Sequence, residues 1–234
     1  MRRVTRAAAL TVLIGLLAGC ARLHSAPSAS YHPKPGDLLF QDLDGGPLCV
    51  AIEKVTQGID GAKFSHVAMV SRVDHGSVTV IEAVSAGVKE TPLDEFLARS
   101  ADAKGRPKVL AGRLKPPYRH LIPEALRVAQ RFKGRPYDSV FTIGNDAFYC
   151  SELVYESFRE ANGRAPLFPL APMTFIDPDT RATFPAWTEY YQNLRAPIPE
   201  RAPGLNPGGV SRSHFLAIVH AYGAPAGWTG RVPK

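Results

Sequence analysis

The sequence predicts an α+β fold built on an antiparallel sheet, and three observations point to it. First, the runs 64–73 (FSHVAMVSRV) and 77–84 (SVTVIEAV) are rich in β-branched and apolar residues, and only Asp74-His75-Gly76 lies between them. That is turn chemistry, and a hairpin requires an antiparallel pair. Second, further short strand-like runs recur at 36–41, 108–114 and 215–222. Third, segments with helical periodicity lie between the strands, the strongest at 150–160 (CSELVYESFRE). Strands with interspersed helices and no internal repeat read as one α+β domain.

The elements follow in order. Gly36-Asp37-Leu38-Leu39-Phe40-Gln41 reads as a buried strand behind a glycine turn. Residues 48–57 are helix-like, with Gly58 as the expected C-cap. After the hairpin, Thr91-Pro92-Leu93-Asp94-Glu95 predicts a short helix with Thr as N-cap, Pro at the first position and acids in the first turn. Residues 123–132 are an amphipathic helix that starts at a proline, and Gly134-Arg135-Pro136-Tyr137-Asp138 is a loop. In the 150–160 helix, Leu153, Val154, Ser157 and Phe158 share one face, and Gly163 sits just past the end. Residues 187–194 suggest another helix, and 196–209 a proline/glycine loop.

The N-terminus reads as a leader. Arg2, Arg3 and Arg6 precede an apolar stretch, 7–17, that is shorter than the roughly 20 residues a spanning helix needs. Leu17-Ala18-Gly19-Cys20 then resembles the lipobox of bacterial lipoproteins, in which the cysteine is lipidated. Residues 1–19 are therefore expected to be a lipoprotein signal peptide, with Cys20 as the lipid anchor. Residues 20–35 are expected to be a lipidated, extended tether, 36–222 the domain and 223–234 a tail. This places the protein in the bacterial cell envelope, anchored to the membrane through its lipid. Ala21 at the position after the cysteine favours the outer membrane, facing the periplasm.

The leader also revises the charge argument. The chain carries a formal +7, and removing the three leader arginines lowers it to +4. A small charge with no basic run gives no support for nucleic-acid binding. The three cysteines are too few for a disulfide scaffold and are not spaced as a zinc site, and no metal or cofactor motif is present.

Cys150 is the most informative residue. At a helix start, unpaired N–H groups and the positive end of the helix dipole stabilise a thiolate, and the same groups can stabilise an oxyanion beside it. The alternative is a buried core cysteine, and Cys49, on an apolar helical face, is read as that kind of packing residue. His66 stands in a strand and is the candidate imidazole base. Glu82 is an acid in an otherwise apolar strand and needs a partner. A hairpin centred on Asp74 makes His66 and Glu82 face each other. A centre at His75 leaves them diagonal on one face, and a two-residue His75-Gly76 turn puts them on opposite faces. The alternative partner for Glu82 is an arginine or lysine.

Taken together, Gly36–Phe40, Ser65-His66-Val67-Ala68-Met69-Val70, Ile81-Glu82-Ala83 and Tyr149-Cys150-Ser151-Glu152-Leu153-Val154 resemble the YiiX/YebB-like hydrolases. These are permuted papain-like amidases in the wider NlpC/P60 clan. Gly134-Arg135-Pro136-Tyr137 is similar to the segment that precedes the nucleophile there. In unpermuted relatives the cysteine comes before the histidine, whereas here His66 comes first. The resemblance implies a permuted papain-like fold with Cys150 as nucleophile, His66 as base and Glu82 as the orienting acid. It also makes Tyr137 a candidate oxyanion or substrate donor. Asp37 is read as a turn residue and Glu152 as a structural ion-pair partner. The proline-rich stretch after Leu170 is expected to shape a substrate groove.

The implied activity is an envelope cysteine hydrolase. It would cleave an amide bond, with peptidoglycan stem peptides as the first substrate expectation. A lipid or acyl-ester hydrolase or acyltransferase on the same site, or a non-catalytic binding lipoprotein, are the alternatives. An apolar groove beside Cys150 favours acyl groups, and a polar one favours peptides. A Cys49–Cys150 disulfide would silence the site.

Overall fold

The computed structural model describes residues 31–232, so the predicted signal peptide, Cys20 and tether residues 21–30 lie outside the described residues. The elements run β1 (Leu38–Gln41), α1 (Pro47–Val55), β2 (His66–Asp74), β3 (Ser77–Val84), β4 (Gly87–Pro92), α2 (Leu93–Leu97) and β5 (Val109–Leu114). They continue with α3 (Ile122–Arg131), α4 (Cys150–Ala161), β6 (Ala171–Pro172), α5 (Pro185–Leu194), β7 (Pro203–Gly204), α6 (Pro207–Ser211) and β8 (Leu216–Ala221). Among the described residues, six strands pair antiparallel in the order β4-β3-β2-β1-β5-β8, and β6 and β7 form a separate two-stranded strap. The predicted α+β class and antiparallel sheet are what the structure shows. No helix of the described residues is long and apolar enough to cross a membrane.

The sheet has two covered faces. Val67, Met69, Ile81 and Ala83 face the larger core, where Leu153, Val154 and Phe158 of α4 pack with all but traces of their surface buried. Ala68, Val70 and Val80 face the other way, against Phe96 of α2. Strand alternation assigns His66 and Glu82 to this second face.

That placement depends on one extra residue. The β2–β3 hairpin does close on a two-residue turn, His75-Gly76, with Asp74 opposite Ser77 and Arg72 opposite Thr79. Both turn residues have positive φ, +44° and +87°, as a type I′ turn requires. Left undisturbed, this register would separate His66 from Glu82. A β-bulge at Ser71 corrects it: beyond the bulge Val70 pairs with Val80 and Met69 with Ile81. Continued two residues, the shifted register sets Glu82 opposite Ala68, one diagonal step from His66. The expectation that a two-residue turn breaks the pair fails because the strand carries its own register shift.

Other boundaries differ from the sequence reading. Thr91 and Pro92 end β4, an edge strand that the sequence reading missed, and α2 begins one residue later than expected, at Leu93, with Pro92 rather than Thr91 at its N-cap. The first helix ends at Val55 with Thr56, not Gly58, at its C-cap. The 196–209 loop contains β7 and the start of α6. Tyr31 is no free tether. Its ring stacks on His220 at 4.5 Å, and its hydroxyl donates to Asp37 Oδ2 at 2.8 Å. Asp37 also takes both Arg113 bonds at 2.7 Å, so it is a turn residue anchoring β1 to β5. The C-terminal tail docks too: Lys63 N donates to Ala226 O and Ala226 N to Asp42 Oδ2 at 2.7 Å. The packed domain thus starts by Tyr31 and extends past Tyr222.

A test of the hairpin follows from its turn. His75 is an exposed non-glycine residue in the left-handed region, where asparagine is better tolerated. His75→Asn is expected to raise stability by about 0.5–1 kcal/mol, and Gly76→Val to lower it by more, in urea titrations.

Candidate active site

Helix α4 starts at Cys150, directly after Tyr149 in extended conformation (φ −91°, ψ 168°). The first N–H groups of the helix have no helical partners, so the sulfur sits in their field. Glu152, at the third helical position, accepts from Tyr149 N at 3.4 Å and Gly144 N at 3.3 Å. No cation pairs with it among the described residues, which corrects its expected role as an ion-pair partner. Burial, with Asp138 and Glu156 nearby, lifts its pKa to about 8, so it is largely protonated at neutral pH.

The thiol meets β2 at the strand's first residues. The sulfur lies 3.9 Å from Ser151 Oγ, and the His66 imidazole and the Val67 N–H are near enough to act on its charge. The other side of the ring is held by Glu82, with His66 Nε2 to Glu82 Oε2 at 2.7 Å. Nε2 is therefore committed to the carboxylate, and Nδ1 is left for the sulfur. The structure thus gathers Cys150, His66 and Glu82 at one end of β2, with His66 and Glu82 hydrogen-bonded. Both of the partners weighed for Glu82, the histidine and a cation, are present together.

Glu82 is fully buried, and four hydrogen bonds satisfy its charge. Besides His66, Thr91 Oγ1 donates to Oε1 at 2.6 Å, and Arg99 donates through two nitrogens at 2.8 and 2.7 Å. Burial alone would raise its pKa, but His66 and Arg99 pull it down to about 2. Burial alone would likewise lower His66, but the nearby Cys150 thiolate and the bond to Glu82 hold it at about 9. Burial would raise Cys150, and the His66 imidazolium brings it below the ordinary thiol range. The directions agree on one resting state at neutral pH, a thiolate–imidazolium pair backed by a carboxylate. The pair titrates as a unit.

Tyr137 is fixed beside this pair by the loop the sequence singled out. Gly134 N donates to Val88 O and Val88 N to Arg135 O, both at 2.9 Å, which fastens the loop to β4. Gly87, at φ +94°, lets the loop approach, because a Cβ there would stand 2.4 Å from Arg135 O. Tyr137 then bridges to Phe148, two residues before the cysteine. A cleft of about 270 Å³ opens between them, with Cys150 and Tyr137 in its wall. Ile52, Phe141, Phe175 and Trp187 make much of the rest apolar. The 171–175 segment, expected to shape a groove, does line it.

Cys49 is not core packing: it is half-buried beside Ser65 and Gly45, and burial raises its pKa. Both Cys49 and Cys150 are free thiols, so no disulfide joins them. Arg99 and Thr91 are the site residues the sequence reading missed. Thr91 carried a cap signal, and nothing in the sequence marked Arg99.

A family model described as "Permuted papain-like amidase enzyme, YaeF/YiiX, C92 family" matches residues 32–220. The chain belongs to this family. It is a family of cysteine-type amidases and peptidases, which agrees with a thiol at a helix start. The chain is also 30% identical to "Uncharacterized protein YiiX" of Escherichia coli K12 over 141 residues. That match covers 60% of this chain and 65% of the relative, just under two thirds of its length. The crystal structure of yiiX from E. coli O157:H7 superposes with a TM-score of 0.64 at 24% identity. The superposition covers 83% of this chain and 100% of that one, and it shows the shared fold. That relative is described as a metalloprotein. Among the described residues of this chain, no group of three or more His, Cys, Asp or Glu is placed to hold a metal ion.

Two outcomes test this geometry. Arg99→Met leaves a buried carboxylate with half its partners, an expected loss of about 3–5 kcal/mol in urea unfolding. The Glu82 contribution is present above its ordinary pKa and lost as pH falls through about 2. Without Arg99 that pKa rises, so acid unfolding should begin at higher pH. Iodoacetamide at pH 7 should label Cys150 about tenfold or more faster than Cys49, as peptide mapping would show.

Proposed function

We propose that this protein is a thiol hydrolase that cleaves amides or esters of apolar acyl groups through an acyl-enzyme on Cys150. The observation that carries this reading is the hydrogen-bonded His66–Glu82–Arg99 network at the strand end beside Cys150, which begins helix α4. The Cys150 thiolate attacks the carbonyl carbon, forming a C–S bond and an oxyanion. In this reading, N–H groups at the start of α4 and the Tyr137 hydroxyl receive that charge. As the C–N or C–O bond breaks, the His66 imidazolium gives its proton to the leaving group. The neutral ring then takes a proton from water, which attacks the thioester and releases the acid. Glu82 holds the ring's orientation and stabilises its cation.

The apolar wall of the cleft favours an acyl group beside the sulfur. The predicted leader and lipobox, Leu17-Ala18-Gly19-Cys20, support an envelope location with membrane anchoring through Cys20. They also support a second reading, cleavage of peptidoglycan stem peptides.

The purified protein should be incubated with p-nitrophenyl acyl esters, N-acyl amides and muropeptides, with products read by mass spectrometry. Acyl esters and amides should be hydrolysed, and Cys150→Ala and His66→Ala should each lose about 10³-fold or more. Turnover of muropeptides alone would favour the second reading. Undiminished activity in Cys150→Ala, or no turnover with binding retained, would sink the hydrolase reading. His66 is protonated below its raised pKa and loses its proton as pH rises through about 9. The kcat/KM profile should accordingly fall above that pH, because no imidazolium remains to protonate the leaving group.

A further inference from the structure

A second basin, of about 480 Å³, lies next to the first. The two share Ala171, Pro172, Met173, Leu205, Asn206 and Arg212 in their linings, so they are two ends of one groove. The β6–β7 strap stands between them, with Ala171 opposite Gly204. The second end is also largely apolar, walled by Phe168, Val210 and Phe215. Its volume lies within the roughly 300–1,000 Å³ of small-molecule sites.

Arg212 stands where the two basins join. Arg212 is exposed and, like Arg164 and Arg201, has no ion-pair partner among the described residues; its place in the lining of both basins is what sets it apart. No aspartate or glutamate lines either basin, and His214 is the one other ionisable cation-forming side chain there. A permanently charged fork of donors between two apolar basins is suited to a carboxylate or phosphate.

We propose that Arg212 is the anion-recognition residue of a two-basin groove, and that the substrate is an acyl compound bearing a carboxylate or phosphate. One apolar part lies in the basin beside Cys150, the anion meets Arg212, and the remainder continues under the strap into the second basin. The inference rests on the hydrolase reading only for the position of the scissile carbonyl.

Binding measured without turnover separates the two. The full chain carrying Cys150→Ala is titrated with octanoate, octyl phosphate and octanol at pH 7.5, following the fluorescence of Trp187 in the first basin. Octanoate or octyl phosphate should bind at least about tenfold more tightly than octanol, since a hydrogen bond to a charged group is typically worth that much. Adding Arg212→Gln should bring the anions to the octanol level while leaving octanol unchanged, which also shows that the groove is intact. Adding Arg212→Lys instead should keep part of the preference. An advantage confined to octanoate identifies a carboxylate, and one confined to octyl phosphate identifies a phosphate. Equal binding of anions and octanol, an anion preference that survives Arg212→Gln, or no binding at all overturns the proposal. Arg212-dependent binding by a protein whose wild type hydrolyses nothing would overturn the hydrolase reading and leave the groove assignment standing.

Discussion

The buried carboxylate of Glu82 is the interaction on which the rest of this structure depends. A charge with no solvent exposure is tolerable only when it is fully paired. Here one side chain takes bonds from His66, Thr91 and two nitrogens of Arg99. Each donor comes from a different element: the start of β2, the end of β4 and the residues just after α2. Satisfying one acid therefore ties together the hairpin, the edge strand and the helix covering that face. It also orients the imidazole, so what neutralises a buried charge also prepares the thiol.

The site straddles the sheet. The acid and the imidazole belong to the face covered by α2, and the sulfur to the helix packed on the opposite face. They can meet only at a strand end, where the first residues of β2 present the His66 ring and the Val67 N–H to the start of α4. The 134–149 segment completes the arrangement by joining β4 to that helix start. Three elements distant in sequence thus converge on one sulfur, and none does so through a long flexible side chain.

Much of this was legible from residue types. The α+β class, the antiparallel hairpin and the helix beginning at Cys150 all have local signals: alternation, turn residues and helical period. The pairing of His66 with Glu82 was permitted by the sequence and decided by the strand register. The errors are just as physical. The Ser71 bulge is invisible because an extra residue in a strand leaves the pattern of apolar residues nearly unchanged. Strand β4 was missed because Gly87–Pro92 carries Lys89, Glu90 and Pro92, poor strand formers that an edge position tolerates. Glu152 looked like an ion-pair residue, but its helix position aims it at backbone N–H groups instead. Tyr31 and the tail beyond Tyr222 looked free because their contacts are with strands far away in sequence.

By itself the sequence determined the chemistry: a thiol at a helix start, and an imidazole and an acid in one hairpin. Those properties follow from local periodicity and capping, which neighbouring residues decide. Tertiary structure alone decided which groups complete the site. Arg99 reaches Glu82 only because α2 packs on that face of the sheet, and Arg212 joins two basins only because the β6–β7 strap crosses between them. Such partners are chosen by packing between elements far apart in the chain, and that information is not carried by any single stretch of residues.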